Sequence, residues 1–372
     1  MISVRAIVLA ALAGASTAAP WGPGGEQAKA GDWKAIEPPL KLSFPRDHGS
    51  HPEFRTEWWY VTGEGVDAAG ERLAWQLTIF RNGLQREDPG TEESSFRPHQ
   101  VFAAHLAVHA VSSARVEFAQ RIRRDAGGIA GAAEGHLHAW VEDWEIRAID
   151  GPQIQITASD RERGIALDLK LLPIKPAVQH GMDGVSRKGS DRGNASAYYS
   201  HTRLETSGRM TIGGQQRTVR GESWLDHEWG TTQLGAGVVG WDWFALRIGD
   251  GSDLMIYRLR LQDGTPIPQS SGTLVDRQGR ATFLGVDEFA LEILDHWESP
   301  RTKARYPSRW RLRVPEHGIA VEIVPRIADA ELDSTPTTSV IYWEGSVEVL
   351  GSHPGTGFVE LTGYAHSMAG RF

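Results

Sequence analysis

The sequence predicts a mostly β protein with two antiparallel domains, each a β-sandwich or an up-and-down β-barrel. From residue 41 onward the dominant apolar period is two, which is the pattern of strands that bury one face. Hairpin-type turn sequences separate these runs. The chain has 372 residues, more than the roughly 250 to 300 residues that one hydrophobic core usually serves. Two domains of about 150 residues each, with their linkers, fit this length.

Individual strands follow from this period of two. Leu73, Trp75, Leu77 and Ile79 share one face of a strand over residues 73–80. The same pattern recurs over residues 101–111, 165–171, 254–261, 310–314, 319–324 and 340–349. Turn sequences that favour positive φ occur at Gly249-Asp250-Gly251, Asp263-Gly264 and Gln278-Gly279. We expect no long helix, and residues 287–294 are the best candidate for a short one.

A weak internal repeat divides the chain into two parts. Trp58-Trp59-Tyr60 leads through a predicted hairpin to a strand at 75–81, as Trp241-Asp242-Trp243 leads to a strand at 255–260. We therefore predict an N-terminal domain at 41–214 and a C-terminal domain at 215–372. The boundary is placed at the turn sequence Gly213-Gly214.

The first 19 residues resemble an export signal. Arg5 precedes an apolar run at 6–15, which ends in small residues at 16–19. This run is too short to cross a bilayer, which takes about 20 residues. We predict a signal peptide at 1–19, a linker at 20–40, and a periplasmic or secreted mature chain without a transmembrane segment. The alternative is a buried N-terminal helix.

Composition excludes several classes of function. The formal net charge is −8 at pH 7 and no basic run is present, so nucleic acid is not an expected partner. The absence of cysteine removes disulfides, thiolate nucleophiles and cysteine-ligated metals. His105 and His109 share a strand face, as do His136 and His138, but neither pair has an evident third ligand. We predict no metal site and no cofactor.

The densest group of ionisable residues is Trp224-Leu225-Asp226-His227-Glu228-Trp229. In an extended strand Asp226 and Glu228 point one way and His227 the other. Two carboxyl groups beside an indole raise the pKa of one of them, which leaves a neutral acid that can donate a proton near pH 7. The alternative is a structural strand end whose acids bind backbone N–H groups or an arginine. Core packing is likewise the alternative for any single tryptophan.

Several longer strings occur together in one known family. They are Phe44-Pro45-Arg46-Asp47-His48-Gly49, Phe54-Arg55-Thr56-Glu57-Trp58-Trp59-Tyr60-Val61-Thr62-Gly63, Ser186-Arg187-Lys188-Gly189, Tyr198-Tyr199-Ser200, the string at 224–229, Gly240-Trp241-Asp242-Trp243, Tyr342-Trp343-Glu344-Gly345 and Glu360-Leu361-Thr362-Gly363-Tyr364. A chain with these strings in this order resembles the AttH-like branch of the carotenoid 1,2-hydratase family. The resemblance implies two lipocalin-like (calycin) β-barrel domains in an exported bacterial protein, with an ABC-type export system as a candidate partner.

The resemblance also assigns candidate site residues. Asp226, His227 and Glu228 are the catalytic candidates. The ligand-binding candidates are Arg55, Glu57, Trp58, Trp59, His105, Arg187, Tyr199, Trp229, Asp242, Trp243 and Tyr257. In carotenoid hydratases the tyrosine that aligns with Tyr257 has an aspartate nearby, whereas here Arg258-Leu259-Arg260 follows. This departure argues against carotenoid hydration itself.

Three functions fit these residues, all with an apolar small molecule as ligand. The first is a hydratase for an isoprenoid-like alkene, in which Asp226 or Glu228 protonates the double bond and the partner carboxylate or His227 activates water. The second is a periplasmic carrier or chaperone without catalysis. The third is an ester or lactone hydrolase with His227 as base. All three rest on one expectation, that acids and indoles from separate strands meet around an apolar cavity between the two halves of the chain.

Overall fold

The computed structural model describes residues 33–84, 98–191, 193–231 and 234–369. The predicted signal peptide at 1–19 lies outside these residues, as does most of the linker. Three short 3₁₀ helices are described, at Arg46–His48, Ala126–Gly128 and Pro315–His317. No helix in the described ranges is long and apolar enough to cross a membrane. The rest of the regular structure is β-strand, which confirms the predicted class.

The first sheet contains thirteen of the described strands. They are β1 (Thr56–Asp67), β2 (Arg72–Gly83), β3 (Gln100–Ala110), β4 (Arg115–Arg124), β5 (Ala130–Ala132), β6 (His138–Val141), β7 (Trp144–Ala148), β8 (Ile154–Asp160), β9 (Ile165–Pro173), β10 (Val178–Gln179), β11 (Val185–Arg187), β12 (Ala195–Ile212) and β13 (Gln215–Gly230). Their order is β4-β3-β2-β1-β13-β12-β9-β8-β7-β6-β5, with β10 and β11 paired to β12.

The second sheet contains the remaining ten described strands. They are β14 (Gly240–Ile248), β15 (Asp253–Arg260), β16 (Ser271–Val275), β17 (Ala281–Gly285), β18 (Ala290–Glu298), β19 (Arg305–Val314), β20 (Ile319–Pro325), β21 (Glu331–Asp333), β22 (Ile341–Gly351) and β23 (Gly355–Leu361). Their order is β17-β16-β15-β14-β23-β22-β20-β19-β18, with β21 paired to β22.

Both sheets follow the same plan. Each begins with a four-stranded meander, and its first strand pairs with its last, β1 with β13 and β14 with β23. The free edges therefore lie after the fourth strand of each sheet. In the first sheet β3 and β4 come close to β5 and β6, so the sheet curls toward closure. The result is two barrel-like antiparallel domains, as the sequence predicted.

Two details of the prediction are wrong. The segment 287–294 is not a helix, because β18 begins at Ala290 and pairs with β19. Its side chains Leu291 and Ile293 pack together against the second core, as the period of two requires. The Gly213-Gly214 turn joins β12 to β13 within the first sheet, so the chain changes sheets only between Gly230 and Gly240.

Each sheet encloses its own apolar core. Trp59, Leu77 and Trp144 are fully buried in the first, and Phe244 and Trp310 in the second. A third apolar cluster lies between the sheets and includes Tyr60, Tyr198, Trp224, Trp243 and Met255. Because neighbouring residues of a strand point to opposite faces, one strand serves both a core and the interface. This third cluster surrounds the candidate site.

Candidate active site

The candidate site lies where the outer faces of the two sheets meet. Trp58 and Tyr60 of β1 point toward the second sheet, whereas Trp59 points into the first core. On the facing sheet, Trp243 of β14 points toward the interface and Phe244 into the second core. The alternation that builds each barrel therefore also brings aromatic side chains from both sheets to one place.

A cavity lies between these faces. Its volume is about 140 Å³. Its wall combines four carboxyl groups, one lysine and many aromatic rings. The lining residues are Asp226, Glu228, Glu344, Glu360, Lys188, His105, Trp58, Tyr60, Phe80, Tyr198, Trp241, Trp243, Tyr257, Tyr342, Gln76, Thr78, Thr338, Thr362, Leu234, Leu259, Val340 and Met368. The predicted meeting of acids and indoles from separate strands is thus present.

Asp226 is buried and accepts hydrogen bonds from three side chains. Tyr198 Oη donates to Oδ2 at 2.7 Å, and Trp224 Nε1 donates to Oδ1 at 2.5 Å. Ser200 Oγ donates to Oδ1 and is itself bonded to His180 Nε2 at 2.7 Å. Burial raises the pKa of Asp226 to about 7, although the three hydrogen bonds oppose this rise. Both carboxyl oxygens of Asp226 are therefore already engaged by the protein.

Glu228 forms an ion pair inside the cavity. Lys188 Nζ lies 2.9 Å from Glu228 Oε1, which also accepts a hydrogen bond from Ser196 Oγ. The ammonium group sits 4.2 Å from the centre of the Tyr257 ring. Burial lowers the pKa of Lys188, but the nearby Glu228 carboxylate outweighs it and the net direction is upward. Lys188 therefore remains a cation and compensates Glu228.

Glu344 and Glu360 face each other across neighbouring strands β22 and β23. Tyr60 Oη donates to Glu344 Oε1, and Trp241 Nε1 donates to Glu360 Oε1 at 2.9 Å. Glu344 Oε2 is buried and makes no hydrogen bond of normal geometry among the described residues, and the Tyr342 hydroxyl lies close to this carboxyl group. Burial, and then the Glu360 charge, hold the pKa of Glu344 well above its ordinary value, and burial raises that of Glu360 to about 7. This pair is the least compensated acid group of the cavity.

A second polar group, here called the Glu57 cluster, lies on the opposite face of β1 and β13. It comprises Ser50, His51, Glu57, Arg81 and His227. Glu57 Oε1 accepts from His51 Nδ1 at 2.8 Å and from His227 Nε2 at 2.9 Å, and Oε2 lies 2.9 Å from Arg81 Nε. Burial would raise the pKa of Glu57, but Arg81 and the two imidazoles hold it well below its ordinary value. Burial lowers the pKa of His227.

The structure divides the predicted site residues between these two places. The candidates that line the cavity are Trp58, His105, Asp226, Glu228, Trp243 and Tyr257. The candidates in or beside the Glu57 cluster are Glu57, Trp59, Tyr199, His227 and Trp229. The sheet of β1 and β13 therefore separates His227 from the two acids with which it was grouped.

Three predicted residues lie in neither place. Arg187 is exposed at the end of β11, and only its carbonyl oxygen reaches the site, where it accepts from Tyr257 Oη at 2.8 Å. Asp242 faces the second core and bonds to Arg260 Nε at 2.8 Å. Arg55 is half-buried just before β1. Strand parity, which places adjacent residues on opposite faces, accounts for Asp242.

Three residues with acidic or basic side chains in the cavity wall were missed by the sequence reasoning, namely Lys188, Glu344 and Glu360. Each stood within a string that carried the family resemblance. A carboxylate followed by small residues on a predicted strand was the available signal for Glu344. Nothing in the sequence indicated that β22 and β23 would oppose β1 and β13, because that contact joins residues 284 positions apart, as in the hydrogen bond from Tyr60 to Glu344.

Two barrel-like sheets with an acid-lined cavity between them define a two-domain lipocalin-like protein. The AttH-like family model matches residues 35–364. The chain belongs to the AttH-like family. No curated protein sequence matches it significantly.

Solved structures agree with this assignment. An AttH-type protein (NE1406) of Nitrosomonas europaea is 33% identical, with a TM-score of 0.80 over 89% of this chain and 99% of that chain. Kievitone hydratase of Nectria haematococca is 14% identical, with a TM-score of 0.64 over 90% and 97%. CghA bound to Sch210972 is 12% identical, with a TM-score of 0.51 over 91% and 98%. The last two show a shared fold.

Proposed function

We propose that the protein adds water to, or removes water from, a carbon–carbon double bond of an apolar small molecule held in the cavity. The observation that carries this proposal is the opposed pair Glu344 and Glu360. Both acids line a cavity walled by aromatic rings, and within the described ranges neither carboxyl is paired with a cation. An uncharged acid beside apolar surface is what protonation of an alkene requires.

The geometry favours Glu344 as the proton donor. Like charges directly opposite on neighbouring strands repel, so the pair retains a proton. Glu344 Oε1 is occupied by Tyr60, whereas Oε2 makes no hydrogen bond of normal geometry within the described residues. Asp226, by contrast, has both oxygens engaged by Tyr198, Ser200 and Trp224. Glu344 therefore keeps one carboxyl oxygen that no protein hydrogen bond of normal geometry occupies, at a residue that lines the cavity.

Hydration by these groups balances in atoms and charge. The Glu344 proton passes to one alkene carbon, and a cation forms on the other. Rings such as Trp58 and Trp243 stabilise that cation through their faces. A water oxygen then bonds to it, and the Glu228 carboxylate takes the released proton. Transfer of that proton back to Glu344 through water restores the site, and the reverse sequence removes water.

The apolar wall determines the class of ligand that the proposal requires. Burial of a hydrocarbon tail contributes about 0.8 kcal/mol per CH₂, whereas the only cation among the lining residues, Lys188, is already paired with Glu228. An anionic ligand would therefore lack a counterion. A neutral, unsaturated, isoprenoid-like molecule fits best. The name of kievitone hydratase supports water addition on this scaffold, although at 14% identity the likeness extends to the fold only.

The test compares wild-type protein with the double variant Glu344→Gln/Glu360→Gln. Native mass spectrometry of protein purified from its own host identifies the apolar compound that co-purifies. We expect the variant to bind this compound nearly as well as the wild type and to lose its conversion to the hydrated or dehydrated partner. Glu292→Gln, on the exposed surface of β18, is the control and should convert the compound as the wild type does, whereas Glu228→Gln should also slow conversion because it removes the proposed base.

Two outcomes would contradict the proposal. Equal turnover by wild type and Glu344→Gln/Glu360→Gln would show that the acid pair does not take part in the reaction. Binding without conversion by the wild type would instead favour a carrier, for which the apolar cavity alone suffices. Ester hydrolysis with His227 as base has no support here, because His227 lies on the other face of β13 with Glu57.

We also propose that the chain is exported and that an ABC-type system is a partner. Support for export comes from residues 1–19, whose apolar run and small-residue end are typical of a signal peptide. Support for the partner comes from the family resemblance. N-terminal sequencing of the protein from the periplasm tests the first point.

A further inference from the structure

The Glu57 cluster contains a set of metal-ligand atoms that the proposed hydration does not use. His51 Nδ1, Glu57 Oε1 and His227 Nε2 all lie within 4.8 Å of one another. His227 and Glu57 are fully buried, and the His51 side chain is partly buried, with 13% of its surface exposed. We propose that these three side chains bind one divalent transition-metal ion, with Zn²⁺ as the first candidate.

The chemistry of the three atoms suits such an ion. Two imidazole nitrogens and one carboxylate oxygen form a ligand set of Zn²⁺ sites that retain an open position, and also of other divalent transition metals. Bond lengths of about 2.0 to 2.2 Å place tetrahedral ligand atoms about 3.4 Å apart. Each imidazole nitrogen now lies 2.8 or 2.9 Å from Glu57 Oε1. To admit the ion, these two distances would have to lengthen by about 0.5 Å, and the two imidazole nitrogens, now within 4.8 Å of each other, would have to lie about 3.4 Å apart.

Outer contacts already orient two of the ligands. Asp47 Oδ1 lies 3.4 Å from His51 Nε2, the ring nitrogen that would not bind the metal. When the metal binds Nδ1, the ring proton of His51 lies on Nε2, and Nε2 donates a hydrogen bond to Asp47. A carboxylate in this place behind a histidine is typical of metal sites. Arg46 and the Ser43 backbone N–H hold Asp47 in turn.

The two carboxylate oxygens of Glu57 have different partners. Arg81 Nε and Ser50 Oγ donate to Oε2 at 2.9 and 3.0 Å, whereas Oε1 accepts from the two imidazoles and, at 3.2 Å, from the His51 backbone N–H. The ion would take the place of the two imidazole protons at Oε1. The Arg81 charge opposes a nearby cation, and the Asp47 carboxylate offsets it. The cluster therefore offers a metal two carboxylates, one bound directly and one through His51.

Stacked indoles fix the planes of both imidazoles. The Trp229 ring lies 3.7 Å from the His51 ring at an angle of 6°, and the Trp59 ring lies 4.7 Å from that of His227 at 20°. Rigid ligands lose less entropy when a metal binds. The ion would also link His51, in the loop before β1, to His227 on β13. The neighbours of His227 on that strand, Asp226 and Glu228, line the cavity. The ion would thus stabilise the strand behind the cavity wall and would take no part in the hydration reaction.

The experiment titrates untagged, chelator-treated protein with ZnCl₂ by calorimetry, and native mass spectrometry counts the ions bound. We expect one ion per chain in the wild type. His51→Gln should weaken binding at least tenfold, because loss of even an outer contact costs about 10- to 100-fold. Asp47→Asn should weaken it by about that amount while it preserves the ligands. His138→Gln, a partly exposed histidine paired with Glu145, is the matched control and should bind as the wild type does.

A second readout separates this site from surface binding. Co²⁺ in place of Zn²⁺ should give visible absorption of a four- or five-coordinate nitrogen–oxygen site in the wild type and lose it in His51→Gln. Unfolding curves of the metal-free variants verify that they fold. If His51→Gln does not fold, the affinity of Asp47→Asn for the metal tests the proposal instead. Absence of saturable binding by the wild type, or equal affinity in the wild type, His51→Gln and Asp47→Asn, would overturn the proposal.

Discussion

Glu360 should make the stability of the protein depend on pH. Its pKa is raised from 4.5 to about 7 in the folded state, so the folded chain binds a proton that the unfolded chain releases. Stability therefore falls as pH rises from about 4.5 to about 7 and is constant above that. Relative to Glu360→Gln, the wild type should lose up to about 3 kcal/mol across this window.

Urea denaturation of wild type and Glu360→Gln at several pH values measures this difference. Glu292→Gln, on the exposed surface of β18, is the control and should show no such trend. A difference between wild type and Glu360→Gln that does not vary with pH would contradict the assignment of a raised pKa to this carboxyl.

Single residues of the site were predictable to the extent that strand parity determines them. Asp226 and Glu228 share a face and reach the cavity, and parity alone sends His227 to the other face. Parity cannot reveal which distant strand lies opposite. Glu344 and Lys188 therefore escaped notice as cavity residues, since each joins the site through contacts made only after the two sheets pack.

Among the elements, the β12–β13 hairpin depends on its two-glycine turn. Gly214 adopts φ of +76°, and an added Cβ would meet no atom within 4 Å. The cost of Gly214→Ala thus comes from backbone strain alone, and we expect the free energy of unfolding to fall by about 1 kcal/mol. Gly214→Asn should cost less, because asparagine tolerates this conformation better. Equal stabilities of the two variants in chemical denaturation would contradict this account.

Strands were more predictable than the division between domains. The alternation at 165–171 and 319–324 became β9 (Ile165–Pro173) and β20 (Ile319–Pro325) nearly residue for residue. A turn sequence such as Gly213-Gly214, however, has the same appearance inside a sheet as between two sheets. Long-range pairing of β13 with β1 decides to which sheet the strand belongs, and local sequence does not encode that pairing.

At the scale of the whole molecule, one buried carboxylate joins the two barrels. Asp253 of β15 accepts from Lys175 Nζ at 2.6 Å, Thr202 Oγ1 at 2.8 Å and Arg203 Nη2 at 2.7 Å, all from the part of the chain that forms the first sheet. Asp253→Ala would leave two largely buried cations without this partner. We expect a loss of about 3 to 5 kcal/mol in the free energy of unfolding.

Chemical denaturation checks this value. Glu292→Ala removes an exposed pair with Arg311 and should cost at most about 1 kcal/mol. Losses of similar size in Asp253→Ala and Glu292→Ala would show that Asp253 does not hold the barrels together.

The barrels matter to function because the cavity exists only where they meet. The most direct measurement of the proposed chemistry is oxygen incorporation from water labelled with heavy oxygen, when wild-type protein is incubated with its co-purified ligand. We predict that the recovered ligand gains one labelled hydroxyl with the wild type and none with Glu344→Gln/Glu360→Gln. A ligand that stays bound to the wild type yet never acquires labelled oxygen would contradict the account.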